Sequence, residues 1–259
     1  MSHRPRIAIP MPHSSDPEYA ERAIPQYERA VELAGGEPVR IRLDQAASEV
    51  NQLIERCDGV LLPGSKADVD PARFEAPRST YTAAADPRRD AVDDLLLDDA
   101  YRRRKPVLGI CYGLQSLNVY RAGSLVQHIP ESLPEEMRAN VDHEAGRNVA
   151  VAHTVEIEPG SRLAGIVAAD GVPIVVPVNS SHHQSADAIG DGLRVVARCR
   201  EDGIVEALEG TRADHFVLAV QWHPERSVEE DAASRAIFRA LVEAARERRR
   251  TLASDSVPG

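Results

Sequence analysis

Lys105-Pro106-Val107-Leu108-Gly109-Ile110-Cys111-Tyr112-Gly113-Leu114-Gln115 decides how the rest of the chain is read. Lys105-Pro106 closes a charged, helix-like run. Val107, Leu108 and Ile110 then make the short apolar run expected of a buried strand, and Leu114 to Val119 continues as a helix. Between them, Gly109-Ile110-Cys111-Tyr112-Gly113 is the cysteine counterpart of the Gly-x-Ser-x-Gly turn, in which a nucleophile is held on a tight, strained strand-to-helix bend. Glycine on both sides leaves room for that backbone. A thiol placed there sits at a helix N-terminus, whose dipole favours the thiolate. The following N–H, on Tyr112, faces the place where an acyl oxyanion would form. The competing reading is a buried structural cysteine, because free cysteine is among the most buried residue types. The two framing glycines and the strand-turn-helix pattern weigh against it.

A second stretch supplies the partners that a thiol nucleophile needs. Phe216-Val217-Leu218-Ala219-Val220-Gln221 reads as a strand and runs into Trp222-His223-Pro224-Glu225. In an extended chain His223 and Glu225, two apart, project from the same face, and Pro224 restricts the backbone between them. A nucleophile, a base and a group that orients the base form the general triad, and Cys111, His223 and Glu225 provide one of each.

With these motifs the chain resembles a known family. Gly-Ile-Cys-x-Gly-x-Gln on an elbow, followed near the C-terminus by Gln-Trp-His-Pro-Glu, is similar to the class I glutamine amidotransferase fold. Leu61-Leu62-Pro63-Gly64-Ser65 and Val178-Asn179-Ser180-Ser181-His182-His183-Gln184 narrow the resemblance to the peptidase C26 branch, which includes γ-glutamyl-γ-aminobutyrate hydrolase. The resemblance runs from about Arg6 to Leu241 with all four motifs in the expected order. It implies a three-layer α/β, flavodoxin-like fold. By the same resemblance, Gly64 would give a second oxyanion N–H beside that of Tyr112, Gln115 would contact the glutamyl end of a substrate, and Ser181, His182 and His183 would line the cleft. Without the resemblance, Gly64 reads as an ordinary turn glycine and Gln115 as a polar residue on a first helical turn. The chain departs from the branch at two points: Tyr112 stands where arginine is common, and Ala122-Gly123 where two glycines are common.

The 259 residues are 42% hydrophobic and 28% charged, which suits one large domain with a substantial core. That domain is expected over residues 1–250, with 251–259 as a disordered tail. A net charge of −10 argues against a nucleic-acid partner. No apolar run approaches the ~20 residues of a membrane span, and Met1 to Arg6 leads straight into a strand with no apolar signal segment. Cys57, Cys111 and Cys199 are too far apart for a metal motif or a disulfide framework, and a reduced, cytoplasmic setting suits a thiol nucleophile. Among the nine histidines only His182-His183 are adjacent; their side chains diverge, and no carboxylate or cysteine sits at ligand spacing from them, so neither metal nor cofactor is expected.

Along the chain, Arg6–Pro10 reads as the first strand and residues 11–23 as a loop. Residues 24–34 read as a helix stopped by Gly35-Gly36, 38–43 as a strand, 46–56 as a helix and 58–62 as a strand. Residues 65–86, with Asp68, Asp70, Arg73 and Arg78, have no periodicity; a long loop after a strand end is often functional, though each charge also fits a solvated surface. Residues 87–104 form a helix with proline first, acids early and arginines late. Residues 124–129 read as a short strand, 130–147 as a polar surface insertion, and 153–158, 172–178, 193–199, 204–208 and 216–221 as strands. The closing helix is expected over 227 to about 249. Early βα alternation followed by a run of strands predicts a mostly parallel sheet between helices, with an antiparallel β extension.

The triad motifs predict a cysteine hydrolase, and the resemblance implies γ-glutamyl amides as its substrates. One alternative is a glutaminase that passes ammonia to a separate synthase, which would then be a required partner. A third is a non-catalytic binding or sensing member, against which the intact Cys111, His223 and Glu225 argue. A small-molecule substrate is the expected partner, and a homodimer is an admissible state.

Overall fold

The computed structural model describes residues 4–137, 141–147, 149–167 and 174–255. Its elements follow in the order β1 (Arg6–Pro10), α1 (Pro17–Leu33), β2 (Glu37–Ile41), α2 (Ala47–Glu55), β3 (Gly59–Leu62), α3 (Pro87–Arg103), β4 (Val107–Ile110), α4 (Tyr112–Tyr120), β5 (Leu125–Val126), α5 (Ile129–Ser132), β6 (His153–Ile157), α6 (Arg162–Val167), β7 (Ile174–Val178), β8 (Ser185–Ala186), β9 (Leu193–Cys199), β10 (Val205–Gly210), β11 (Val217–Val220) and α7 (Ala232–Asp255). The main sheet has the order β2-β1-β3-β4-β11-β10-β9-β6-β7. From β2 to β11 neighbouring strands are parallel; from β11 to β7 they are antiparallel. This is the mostly parallel sheet with an antiparallel extension.

The parallel part is buried on both faces, as the side-chain period of two requires. Ile7 and Ile9 of β1, Leu61 of β3, Leu108 and Ile110 of β4, and Leu218 and Val220 of β11 point to one layer, where they meet Ile24 and Val31 of α1 and Phe238 and Leu241 of α7. Their alternates Ala8, Val60, Leu62, Val107, Val217 and Ala219 point to the other, against Ile54 of α2, Leu96 and Leu97 of α3, and Leu114 and Leu117 of α4. The result is the three-layer α/β arrangement.

Three elements differ from the sequence reading by more than two residues at an end. α1 starts at Pro17, inside the stretch read as a loop: the Asp16 carboxylate caps it by accepting the Tyr19 N–H at 3.0 Å, Pro17 stands in the first turn, and the helix runs on through Pro25. The segment 124–129 is only partly strand; after Leu125–Val126 the chain turns into α5. α7 begins later than expected, capped by Asp231, whose carboxylate accepts the Ser234 N–H at 2.7 Å, and continues to Asp255, so 251–255 are helical rather than disordered. Residues 256–259, and residues 172–173 of one expected strand, lie outside the described residues.

Candidate active site

β4 and β11 are neighbours in exact parallel register, Leu108 opposite Leu218 and Ile110 opposite Val220. Both therefore end together at the carboxyl edge of the sheet, the edge at which open α/β sheets bind ligands. Cys111 directly follows β4 and His223 is the third residue after β11, so sheet pairing brings the thiol and the imidazole to one place.

Cys111 caps α4. Its N–H donates to Val220 O at 2.9 Å, and its carbonyl accepts from the Leu114 and Gln115 N–H groups at 3.0 and 3.2 Å. Its backbone is strained, with φ 53° and ψ −105°, the left-handed geometry that an elbow stores. Glycine is needed where the elbow packs: a Cβ on Gly113 would lie 2.2 Å from Leu62 O, and one on Gly109 would lie 2.7 Å from Gly113 O. Tyr112 is the first residue of α4, so its N–H has no intrahelical acceptor.

His223 is held on both sides. The side-chain amide of Asn179 accepts the His223 N–H at 2.9 Å and donates to its carbonyl at 3.0 Å. The ring Nδ1 donates to Glu225 Oε1 at 2.7 Å. Glu225 reaches it from a single 3-10 turn over Pro224–Arg226, not from an extended chain as the spacing suggested, because Pro224 opens that turn. His223 and Glu225 are buried. Burial works against the imidazolium, but the Glu225 carboxylate and the neighbouring Cys111 outweigh it, and the His223 pKa is raised to about 9. Burial likewise works against the Glu225 anion, and the His223 charge beside it brings its pKa below the ordinary value.

Gly64 is close to the pair: a Cβ placed on it would meet His223 Cε1 at 3.0 Å and Cys111 Cβ at 3.6 Å. Its N–H, however, is not turned free into the cleft. It donates to the buried Tyr27 hydroxyl at 3.1 Å. Burial, reinforced by Glu225, pushes Tyr27 well above its ordinary pKa, so this hydroxyl stays protonated.

Cys111 and His223 open onto a cleft of about 630 Å³, within the range of small-molecule sites. Of the residues named from the sequence, Gln115, Ser181, His182 and His183 also line it. Gln115 Nε2 donates to Gln184 O at 3.1 Å and to Gln221 Oε1 at 3.3 Å. The Ser181 hydroxyl accepts from Arg226 at 2.7 Å. His183 Nε2 meets Asp68 Oδ1 at 3.1 Å. His182 is different: its Nδ1 donates to Gln184 O at 2.9 Å and its Nε2 faces Glu206 at 3.4 Å, so both nitrogens are directed at protein. Glu206, 24 residues further along the chain, is a contact that spacing around the paired histidines does not show.

The 65–86 loop reaches the cleft through Ser65, Lys66, Asp68, Tyr81 and Ala83. Asp68 ties it down by accepting the Ala83 N–H at 2.7 Å as well as meeting His183. Tyr81 stacks on His128, centroids 4.2 Å apart. Arg73 faces elsewhere, paired with Asp90 at 2.9 Å and with Asp94. The Tyr112 side chain also leaves the cleft: its hydroxyl donates to Asp90 at 2.5 Å and its ring lies under the Arg89 guanidinium at 4.8 Å. Of the two departures from the branch pattern, Tyr112 thus does not reshape the cleft wall, and Ala122 adopts φ 65°, a conformation that glycine would adopt without strain. Asn179 and Tyr27 were not assigned from sequence. Asn179 opens the Asn-Ser-Ser-His-His-Gln stretch, which was a signal; Tyr27 reads as one more apolar position of a helix.

Comparison with known proteins places the chain in a family. The peptidase C26 family model matches residues 7–225. The chain is 36% identical over 224 residues to the γ-glutamyl-γ-aminobutyrate hydrolase of Escherichia coli strain K12, covering 85% of this chain and 84% of that one. It is 32% identical over 265 residues to a glutamine amidotransferase-like protein of Rickettsia prowazekii, covering 89% and 90%. Among solved structures, the glutaminase domain of Trypanosoma brucei CTPS with bound acivicin superposes with a TM-score of 0.63 at 17% identity, over 94% of each chain. PurLQS from Thermotoga maritima gives 0.58 at 20%, over 93% of this chain and 98% of that one. At these identities the structural likeness is one of fold.

Proposed function

The chain belongs to the peptidase C26 family, and on that premise we propose that it hydrolyses γ-glutamyl amides of small amines to glutamate and the free amine. Membership carries the enzyme class, a hydrolase acting on C–N bonds. The observation that supports the finer reading is the buried Cys111, His223 and Glu225 constellation, whose first two members line a cleft of about 630 Å³ together with Asp68, Tyr81 and His128. A cleft of that volume leaves room for a leaving group larger than ammonia.

The chemistry follows from the groups present. Cys111 Sγ, as thiolate beside the His223 imidazolium, attacks the γ-carbonyl carbon and forms a C–S bond. Negative charge moves to the carbonyl oxygen, toward the Tyr112 N–H. The Gly64 N–H joins only if it exchanges Tyr27 for the oxyanion. His223 then gives its proton to the leaving amine as the C–N bond breaks, which leaves a thioester. Water, deprotonated by the now neutral His223, attacks the thioester carbonyl. Glutamate departs, and the thiolate–imidazolium pair is restored. Glu225 keeps the imidazole oriented and stabilises its cation without taking the proton. Gln115, Ser181 and His183 are the proposed substrate contacts.

The amidotransferase-like name of the Rickettsia relative favours a second reading, in which the same steps release ammonia from glutamine for a synthase. Purified protein incubated with glutamine and with a panel of larger γ-glutamyl amides separates the two. The hydrolase reading expects kcat/KM for at least one larger amide to exceed that for glutamine by about tenfold or more. Turnover of glutamine alone would reject it.

A further inference from the structure

Four buried side chains from separate parts of the chain converge at one point beside the catalytic cleft: His143, His153 of β6, His182 and Glu206 of β10. One nitrogen of each histidine and an oxygen of Glu206 all lie within 4.8 Å of one another. Glu206 Oε1 is 3.3 Å from His143 Nδ1, 3.4 Å from His153 Nε2 and 3.4 Å from His182 Nε2. Yet both Glu206 oxygens, His153 Nε2 and His182 Nε2 make no hydrogen bond, though they are shut off from water. Four orphaned polar atoms in one buried spot are costly unless something else holds them.

The outer nitrogens narrow what that can be. His143 Nε2 faces Asp202 Oδ2 at 2.8 Å, His182 Nδ1 faces Gln184 O at 2.9 Å and His153 Nδ1 faces Thr154 O at 3.4 Å. These partners accept only, so each outer nitrogen carries the proton. If the rings are neutral, three lone pairs point inward at a carboxylate, which repels them. If all three are cationic, three positive charges are buried against the two negative charges of Glu206 and Asp202. A cationic His143 alone, between Asp202 and Glu206, still leaves the lone pairs of His153 and His182 turned on the carboxylate; with a dication, three neutral imidazoles, two carboxylates and one M²⁺ sum to zero. An inward ligating nitrogen with its outer N–H on a carboxylate or a backbone carbonyl is how protein metal sites fix their histidines. A tetrahedral site with bonds near 2.0–2.1 Å has ligand-to-ligand edges of about 3.3 Å, and the three Glu206–histidine separations match that.

We propose that His143, His153, His182 and Glu206 form a buried structural zinc site. Three imidazoles and one carboxylate suit Zn²⁺, and four protein ligands leave no open position for catalysis. The site joins residues 141–147 to the Asn179–Gln184 loop and to the sheet, where His182 N also donates to His143 O at 3.0 Å and Gly146 N to Ser180 O at 2.6 Å. Through Asn179 the same loop clamps the backbone of His223. Sequence spacing does not reveal the site because its ligands come from four distant segments.

The test uses the full-length protein, stripped with a chelator and dialysed, then titrated with Zn²⁺ or Co²⁺. The proposal expects about one equivalent bound, the visible d–d bands of tetrahedral Co²⁺, and a melting temperature raised by about 5–10 °C. Wild type and Cys111→Ser should behave alike, and His153→Gln and Glu206→Gln should lose the bands. Binding below about 0.1 equivalent with no melting shift in wild type would overturn it, even if both ligand variants failed to fold. So would bands that vanish in Cys111→Ser but persist in His153→Gln, which would put the ion on the thiol–imidazole pair.

Discussion

Replacing Glu225 by glutamine keeps the length and planarity of the side chain, and its amide oxygen can still accept the His223 Nδ1–H. What is lost is the charge. In the native protein the His223 pKa stands at about 9 against an ordinary 6.5, a difference worth roughly 3 kcal/mol in favour of the imidazolium. Glu225 and Cys111 share that effect after overcoming burial. If Glu225 supplies between a third and all of it, the variant loses about 1–3 kcal/mol of imidazolium stabilisation, and kcat falls about 10- to 1000-fold. The sign with pH follows. A raised pKa keeps the acid form of His223 present below about 9 and loses it above, so the native alkaline limb of kcat should fall near pH 9. In Glu225→Gln it should move toward neutrality. KM should change little, since Glu225 stands behind the ring. The assay is kcat and KM on one γ-glutamyl amide from pH 5 to 10, with circular dichroism to confirm the fold. An unmoved alkaline limb with undiminished kcat, or a large rise in KM alone, would refute this account of Glu225.

Other perturbations probe the parts around the triad. Arg89→Met removes a buried guanidinium that pairs with Asp93 at 2.7 Å and donates to Pro12 O and Pro63 O at 3.1 and 2.7 Å; urea unfolding should show a loss of about 3–5 kcal/mol, because the Asp93 carboxyl and two backbone carbonyls are left buried without their partner, and a loss below about 1 kcal/mol would contradict this. Tyr27→Phe frees the Gly64 N–H; stability should fall by about 1 kcal/mol while kcat holds or rises, whereas a loss of about 100-fold or more would place the Tyr27 hydroxyl itself in the oxyanion hole. Burial pushes Cys57 and Cys199 up to about 11, so iodoacetamide at pH 7 should label Cys111 alone; equal labelling of all three would deny Cys111 its special reactivity.

The legible parts were those written in local sequence. The alternation of Ile7, Ala8 and Ile9 fixed which face each strand residue takes, and the glycines around Cys111 encode the elbow directly, since neither tolerates a Cβ. His223 and Glu225 are adjacent enough to find each other in any compact local conformation, so their pairing survived the change from an extended segment to a 3-10 turn. The start of α1 was written in Asp16-Pro17 but masked by the prolines and polar residues around it. What could not be read was made by distant contacts: Asn179 meets His223 across 44 residues, and Tyr27 meets Gly64 across 37. Glu206 is the extreme case, an acid at the second position of β10 whose three histidines lie on other segments.

The central claim is that Cys111 forms a covalent thioester with the glutamyl group. Rapid acid quench of the enzyme during turnover of a γ-glutamyl amide, followed by peptide mass spectrometry, tests it most directly. The account predicts one glutamyl adduct on the peptide that contains Cys111, formed before steady state and absent in Cys111→Ala, which should also have lost turnover. An adduct on a different residue, or a Cys111→Ala variant that turns over substrate at the native rate, would contradict it.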